Sequence, residues 1–153
     1  QKFARDLLVA AGPVGRYKPD PGHWLDIDKG MAVLGAVGAW DVGQALVMQQ
    51  DIVLGLEAAE GTDELIRRCG GYRRKGRGPV LVKMPKPGQD RDLDLPTIGP
   101  ETVRLCAAAG FAGIVIEAGR TLVIDPHEVA ALADQNKMFV FAAGREGASQ
   151  NDH

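Results

Sequence analysis

Aromatic residues make up only 5% of this 153-residue chain. That is too few for the stacking platforms that hold single-stranded nucleic acid. Cysteine occurs twice, at Cys69 and Cys106, far apart and in no metal-ligand spacing, so the pair reads as reduced thiols of a cytosolic protein. Histidine occurs three times, at His23, His127 and His153, with no paired spacing, and zinc is not expected. No apolar run reaches the roughly 18–20 residues that span a bilayer, and no signal peptide is visible. A Ser/His/Asp arrangement, a Cys/His pair and a P-loop are all lacking, which leaves nucleophilic catalysis by a side chain without support. A net charge of −2 provides no global pull toward nucleic acid or anionic membrane.

What is present is ordinary for a globular domain: 45% hydrophobic and 25% charged residues. The length reads as one domain with enough apolar surface to fold without staples. The chain enters at Gln1 directly on the apolar-patterned "KFARDLLVAAG", which reads as a piece of something longer. The polar residues 144–153 read as a disordered tail.

Residues 2–11 suit a short helix or an element whose partner is missing, and 12–22, with three prolines and three glycines, a linker. Residues 1–20 are therefore expected to be a remnant helix and interdomain linker, and 21–143 an α/β domain. Asp26 or Asp28 suits the cap of a helix ending near Ala39. Two apolar strands follow, with a tight turn near Gln50–Asp51. Thr62 suits the cap of a helix over 63–69, with Asp63 and Glu64 in its first turn. Residues 79–84 read as a buried strand, 100–109 as a helix ended by Gly110, and 113–124 as strand, turn, strand. Asp125-Pro126-His127-Glu128 has the form of a capping box opening a helix to about Gln135, and 138–143 closes as a strand. The alternation after residue 79 predicts an α/β fold with a mixed sheet flanked by helices.

The segment "KMPKPGQDRDLDLPTIG" (83–99) carries three prolines, three cations and the alternating Asp90, Asp92 and Asp94, with almost nothing to bury. In extended chain, alternate carboxylates share one side and repel unless a cation sits among them. An EF-hand ending at Glu101 fails, because Leu95 stands where the sharp turn needs glycine, and Pro85 and Pro87 forbid the leading helix. Magnesium suits the segment better, since it needs one or two carboxylates and takes its other ligands from water and phosphate. Asp94 is the leading candidate, lying between the cations and a helix start. Turn capping or pairing with Arg91 accounts for Asp90 and Asp92, and the residues alone leave that role and the metal role open for Asp94.

Eight cations run from Arg67 to Lys86 with no acid among them. Those at 73–77 read as a solvated basic loop. Lys83 ends an apolar strand and Lys86 is locked between Pro85 and Pro87. Two fixed ammonium groups at a strand end, beside the helix start at Gly99, suit a phosphate. Glu57, Glu60, Asp63 and Glu64, around Thr62, offer a second carboxylate, although helix capping explains Thr62 and the first-turn acids Asp63 and Glu64 without a ligand. Glu117 is unexpectedly polar for its strand, and a surface-facing strand end is its simplest account. Trp24 and Trp40 read as packing.

"HWLDIDKGMAVLGAVGAWDVGQALV", "LEAAEGTDELIRR", "KMPKPGQDRDLDLPTIGPET" and "GIVIEAGRTLVID" together resemble the LpxI-type UDP-2,3-diacylglucosamine pyrophosphatases of bacterial lipid A synthesis. The similarity covers about residues 20–143. It implies the C-terminal half of a two-domain enzyme whose substrate cleft lies between the domains. It also implies a Mg²⁺-dependent hydrolase at the cytosolic face of the inner membrane, cutting a lipidated UDP-sugar to UMP and 2,3-diacylglucosamine 1-phosphate. Carried onto this chain, Asp94 is the metal-linked catalytic residue. Lys83 and Lys86 sit on phosphate with Gln89 and Thr97 beside them, and Glu60, Thr62 and Asp63 line the site. The rival readings are a non-catalytic nucleotide- or phosphate-binding module on the same lysines, and RNA binding through 67–77, against which low aromatic content and negative net charge count.

Overall fold

Strands that are apolar at every position need cover on both faces, and this chain provides it. The computed structural model describes residues 6–86 and 95–144. In chain order the elements are β1 (Asp6–Leu8), β2 (Gly12–Pro13), α1 (Pro21–Gly38), β3 (Ala45–Gln49), β4 (Ile52–Leu56) and α2 (Thr62–Gly70). There follow β5 (Val80–Lys83), β6 (Thr97–Ile98), α3 (Pro100–Ala108), β7 (Gly113–Glu117), β8 (Leu122–Ile124), α4 (Pro126–Gln135) and β9 (Phe139–Ala143). A six-stranded sheet runs β2-β9-β7-β5-β3-β4, and a three-stranded sheet runs β1-β8-β6. In the large sheet β5, β7 and β9 are parallel neighbours, while β3, β4 and β2 pair antiparallel. The expected mixed α/β fold is present.

The two-residue period of the strands divides the core. Leu46, Met48, Val80, Val82, Val115, Phe139 and Phe141 face Trp24, Ile27 and Leu34 of α1. The intervening Val47, Leu81, Ile114, Ile116 and Val140 face Leu65, Ile66 and Cys69 of α2, Val103 and Cys106 of α3, and Val129 and Ala133 of α4. Helix α1 thus covers one face and α2–α4 the other. Gly30 lets α1 lie close on the sheet, since a Cβ there would stand 3.0 Å from Leu46 Cδ1 and 3.1 Å from Met48 Cγ. Among the described residues no helix is long and apolar enough to cross a membrane.

Several expectations need correction. Asp6–Leu8 is a strand paired antiparallel with Leu122–Ile124, neither helix nor partnerless, and Gly12–Pro13 joins the edge of the large sheet through β9. Helix α1 is capped by Asp20, not by Asp26 or Asp28. Asp20 Oδ1 accepts the His23 N–H at 2.8 Å, and Pro21 sits where its missing N–H costs nothing. In α2 the cap is Gly61, at φ 90°, and Thr62 is the first helical residue. The box at 125–128 does not form: Asp125 is left-handed with no side-chain cap bond, and Glu128 instead accepts from Arg104 at 2.8 Å. Trp24 packs as expected, but Trp40 lies beyond the end of α1 and is 83% exposed. Glu117 is buried, not surface-facing.

Asp26 has a different task. Gln50 and Asp51 form the β3–β4 turn with φ of 49° and 73°, the mirror-image turn that strand twist favours but that glycine and asparagine adopt most readily. The buried Asp26 carboxylate accepts both turn N–H groups, from Gln50 at 2.9 Å and Asp51 at 2.7 Å, so α1 clamps the turn from outside. Asp26→Ala is expected to destabilise the fold by about 2–4 kcal/mol, the scale of two hydrogen bonds to a buried charge. Asp51→Gly, which relieves the left-handed strain, is expected to be neutral or stabilising. Urea unfolding midpoints of the two variants check this, and a near-neutral Asp26→Ala contradicts the clamp.

Candidate functional site

Parallel strands β5, β7 and β9 finish at one edge, at Lys83, Glu117 and Ala143, where α/β sheets take ligands. Lys83 is the only cation on this edge that comes from a sheet strand among the described residues. Its ammonium donates to the Thr97 carbonyl at 2.9 Å, joining the large sheet to the small one. Burial pulls its pKa below the lysine value of 10.5, and the nearby negative charges of Glu57 and Asp63 partly restore it. The structure therefore brings the Lys83 amine onto the Thr97 carbonyl and within the fields of Glu57 and Asp63.

Glu57 is held from two sides. Its Oε1 accepts the Gln44 N–H at 2.8 Å, and its Oε2 faces the Thr62 hydroxyl at 3.4 Å. Thr62 thus orients a carboxylate whose charge reaches Lys83. Glu60 is engaged elsewhere: it accepts the Ala58 N–H at 3.0 Å and forms an ion pair with Arg68. The Ala58 bond, first, and the Arg68 bond hold its pKa low. Lys86 pairs with Asp41 at 2.8 Å, a residue the sequence gave no reason to single out. The Gly99 N–H donates to Thr102 Oγ1 at 3.1 Å, so the start of α3 is capped from within. Asp94 and Gln89 lie outside the described residues, as do Asp90 and Asp92.

The run of eight cations divides between ion pairs, a loop before β5 and the end of β5. Arg67 pairs with Glu64 at 2.6 Å, Arg68 with Glu60 and Lys86 with Asp41. The loop at 73–77 precedes β5 and so lies at the opposite end of that strand from Lys83. Its backbone is clamped by the buried Gln49, which donates to the Arg74 and Arg77 carbonyls at 2.8 and 2.7 Å and accepts the Arg74 N–H at 2.8 Å. Cys69 and Cys106 are free and buried, and burial pushes the Cys69 thiol up to about 11, which makes both poor nucleophiles.

Among the described residues no three His, Cys, Asp or Glu side chains converge as a metal cluster. The charged oxygen groups within electrostatic reach of Lys83 are the carboxylates of Glu57 and Asp63, donors of the kind that hard ions take.

Fold and site together define an α/β domain that presents a desolvated lysine and hard oxygen donors at the carboxyl edge of its parallel strands. The family model of the LpxI C-terminal domain matches residues 10–141, and the chain belongs to that family. It is 43% identical over 141 residues to UDP-2,3-diacylglucosamine pyrophosphatase LpxI of Caulobacter vibrioides, a match covering 88% of this chain and 50% of that protein. The chain thus spans about half the length of the curated relative it matches.

The depressed Lys83 pKa has a defined sign. Between its folded value and 10.5 the unfolded chain binds more protons, so this group makes stability rise with pH there, and its cost is fully present below the folded value. Side-chain ¹⁵N titration is expected to place Lys83 below 10.5, and Glu57→Gln, by removing a charge that raises it, to lower it further. A value at or above 10.5 in the unsubstituted chain contradicts the burial described.

Proposed function

We propose that this chain is the catalytic C-terminal half of a UDP-2,3-diacylglucosamine pyrophosphatase, hydrolysing the phosphoanhydride to UMP and 2,3-diacylglucosamine 1-phosphate with magnesium. The observation that carries the proposal is the half-buried Lys83 ammonium fixed at a parallel-strand edge between the fields of Glu57 and Asp63. Membership of the LpxI family and the name of the Caulobacter relative support the choice of substrate.

Charge builds on phosphoryl oxygens as the anhydride breaks. A preoriented, poorly solvated ammonium stabilises that charge more than an exposed one. Thr97 holds the Lys83 amine in place, and Glu57, steadied by Gln44 and Thr62, favours its charged form. Asp94, with Asp63 as the second carboxylate, would hold magnesium, which when bound supplies Lewis-acid polarisation of the phosphoryl oxygens. Gln89 and Lys86 would complete the phosphate contacts, Lys86 by leaving Asp41. The other half of the protein would close the cleft, and a diacylated substrate implies work at the cytosolic surface of the inner membrane.

A second reading, a phosphate-binding module without turnover, is favoured by one fact: the chain spans half its relative. Hydrolysis of the diacylated UDP-sugar, by this chain and by a two-domain protein carrying it, separates the two readings. Asp94→Asn in the two-domain protein is expected to lower turnover about a hundredfold or more, and a chelator to abolish it. Near-normal hydrolysis in either case overturns the metal-assisted reading.

A further inference from the structure

The β7–β8 turn holds polar atoms that the fold leaves unsatisfied. Its backbone is pinned. The Glu117 carbonyl accepts the Arg120 N–H at 3.2 Å, Ala118 donates to the Ala143 carbonyl at 2.9 Å, and Gly119, at φ 72°, donates to the Val9 carbonyl at 2.8 Å. On this fixed turn, Arg120 Nε and Nη2 and Thr121 Oγ1 are buried with no hydrogen-bond partner among the described residues. Thr121 is fully buried. Glu117 Oε2 lies 3.4 Å from Arg120 Nε, close enough to hold the charge in place without satisfying the fork. Native proteins keep few such atoms, and each weakens the fold unless something else claims it.

Their position says what that is. Ile116, which precedes Glu117, is the register partner of Lys83. Leu122, which follows Thr121, is the register partner of Thr97, whose carbonyl holds the Lys83 ammonium. The two ends of the turn therefore flank the Lys83–Thr97 bond. With Lys86 paired to Asp41 in the free chain, a ligand of several negative charges calls for a further cation beside Lys83. We propose that Arg120 and Thr121 form a second phosphate-binding element of this site, taking oxygens of the phosphoanhydride that Lys83 also contacts. Arg120 matches that role, because its planar fork binds phosphate oxygens in pairs; part of its side chain, 27% exposed, reaches the surface, while Nε and Nη2 themselves are covered. The inference rests on the phosphoanhydride reading above and adds two residues to it.

The test is calorimetric titration of this chain with inorganic pyrophosphate, with and without Mg²⁺, alongside thermal unfolding. Arg120→Ala is expected to weaken binding about tenfold or more, and Arg120→Lys to recover part of it, since it restores charge but not the fork. Thr121→Val is expected to weaken binding severalfold without lowering the ligand-free Tm, because the hydroxyl it removes has no partner there. Unchanged binding in Arg120→Ala while Lys83→Ala weakens it overturns this inference and spares the wider reading. A lowered Tm in Thr121→Val assigns that hydroxyl a structural bond and likewise overturns it. Loss of neither cation mattering, or no binding by the unsubstituted chain, overturns both.

Discussion

A single bond, from the Lys83 ammonium to the Thr97 carbonyl, sets the terms for the rest of the site. It draws a charge partly out of water, which is costly unless opposite charge and hydrogen bonds compensate. The compensation comes from three places in the chain: a carbonyl on β6, Glu57 after β4, and Asp63 in the first turn of α2. Each partner lies well away from Lys83 along the chain, Thr97 by 14 residues, so the amine is positioned only once the sheets and α2 have assembled. An ammonium held this way has few water molecules to lose when phosphate arrives, which is the physical content of preorganisation.

The same economy sorts the other charges. Cations that crowd together in the sequence find separate carboxylates in the fold, at Glu64, Glu60 and Asp41, and these exposed pairs contribute little to stability. The buried polar groups matter more. Asp26 and Gln49 are both buried and both direct their side chains to backbone, one to the β3–β4 turn and the other to the loop before β5. Each lets an irregular segment meet its hydrogen-bond requirement without a regular ladder. Polar side chains in this core therefore shape loops, while apolar ones carry the sheet.

The strands and helices were legible because their patterns are local. The continuous apolar runs at 80–82 and 139–143, and the proline and glycine punctuation at Pro100, Gly110 and Gly119, need no tertiary information. The caps were less legible, because Asp20, Asp26 and Asp28 all suit one chemically, and only the packing of α1 on the β3–β4 turn assigns Asp26 elsewhere. Glu117 misled for a similar reason: a polar residue ending a strand reads as solvent-facing until its neighbour Arg120 and the covering turn are in place. The place of Lys83 at a strand end could be read from the apolar run before it, and Thr97 was named beside it through the family resemblance. The orienting role of Glu57 and the pairing of Lys86 with Asp41 could not, since both depend on contacts across 13 and 45 residues.

The central claim is that the Lys83 ammonium is the fixed point on which a phosphoanhydride is received. It is tested most directly by following the Lys83 side-chain ¹⁵N resonance through a pH titration of the chain saturated with inorganic pyrophosphate and Mg²⁺. If pyrophosphate oxygens contact the amine, added negative charge raises its pKa above the value of the free chain. Saturation with pyrophosphate that leaves the Lys83 titration where it was would contradict the account.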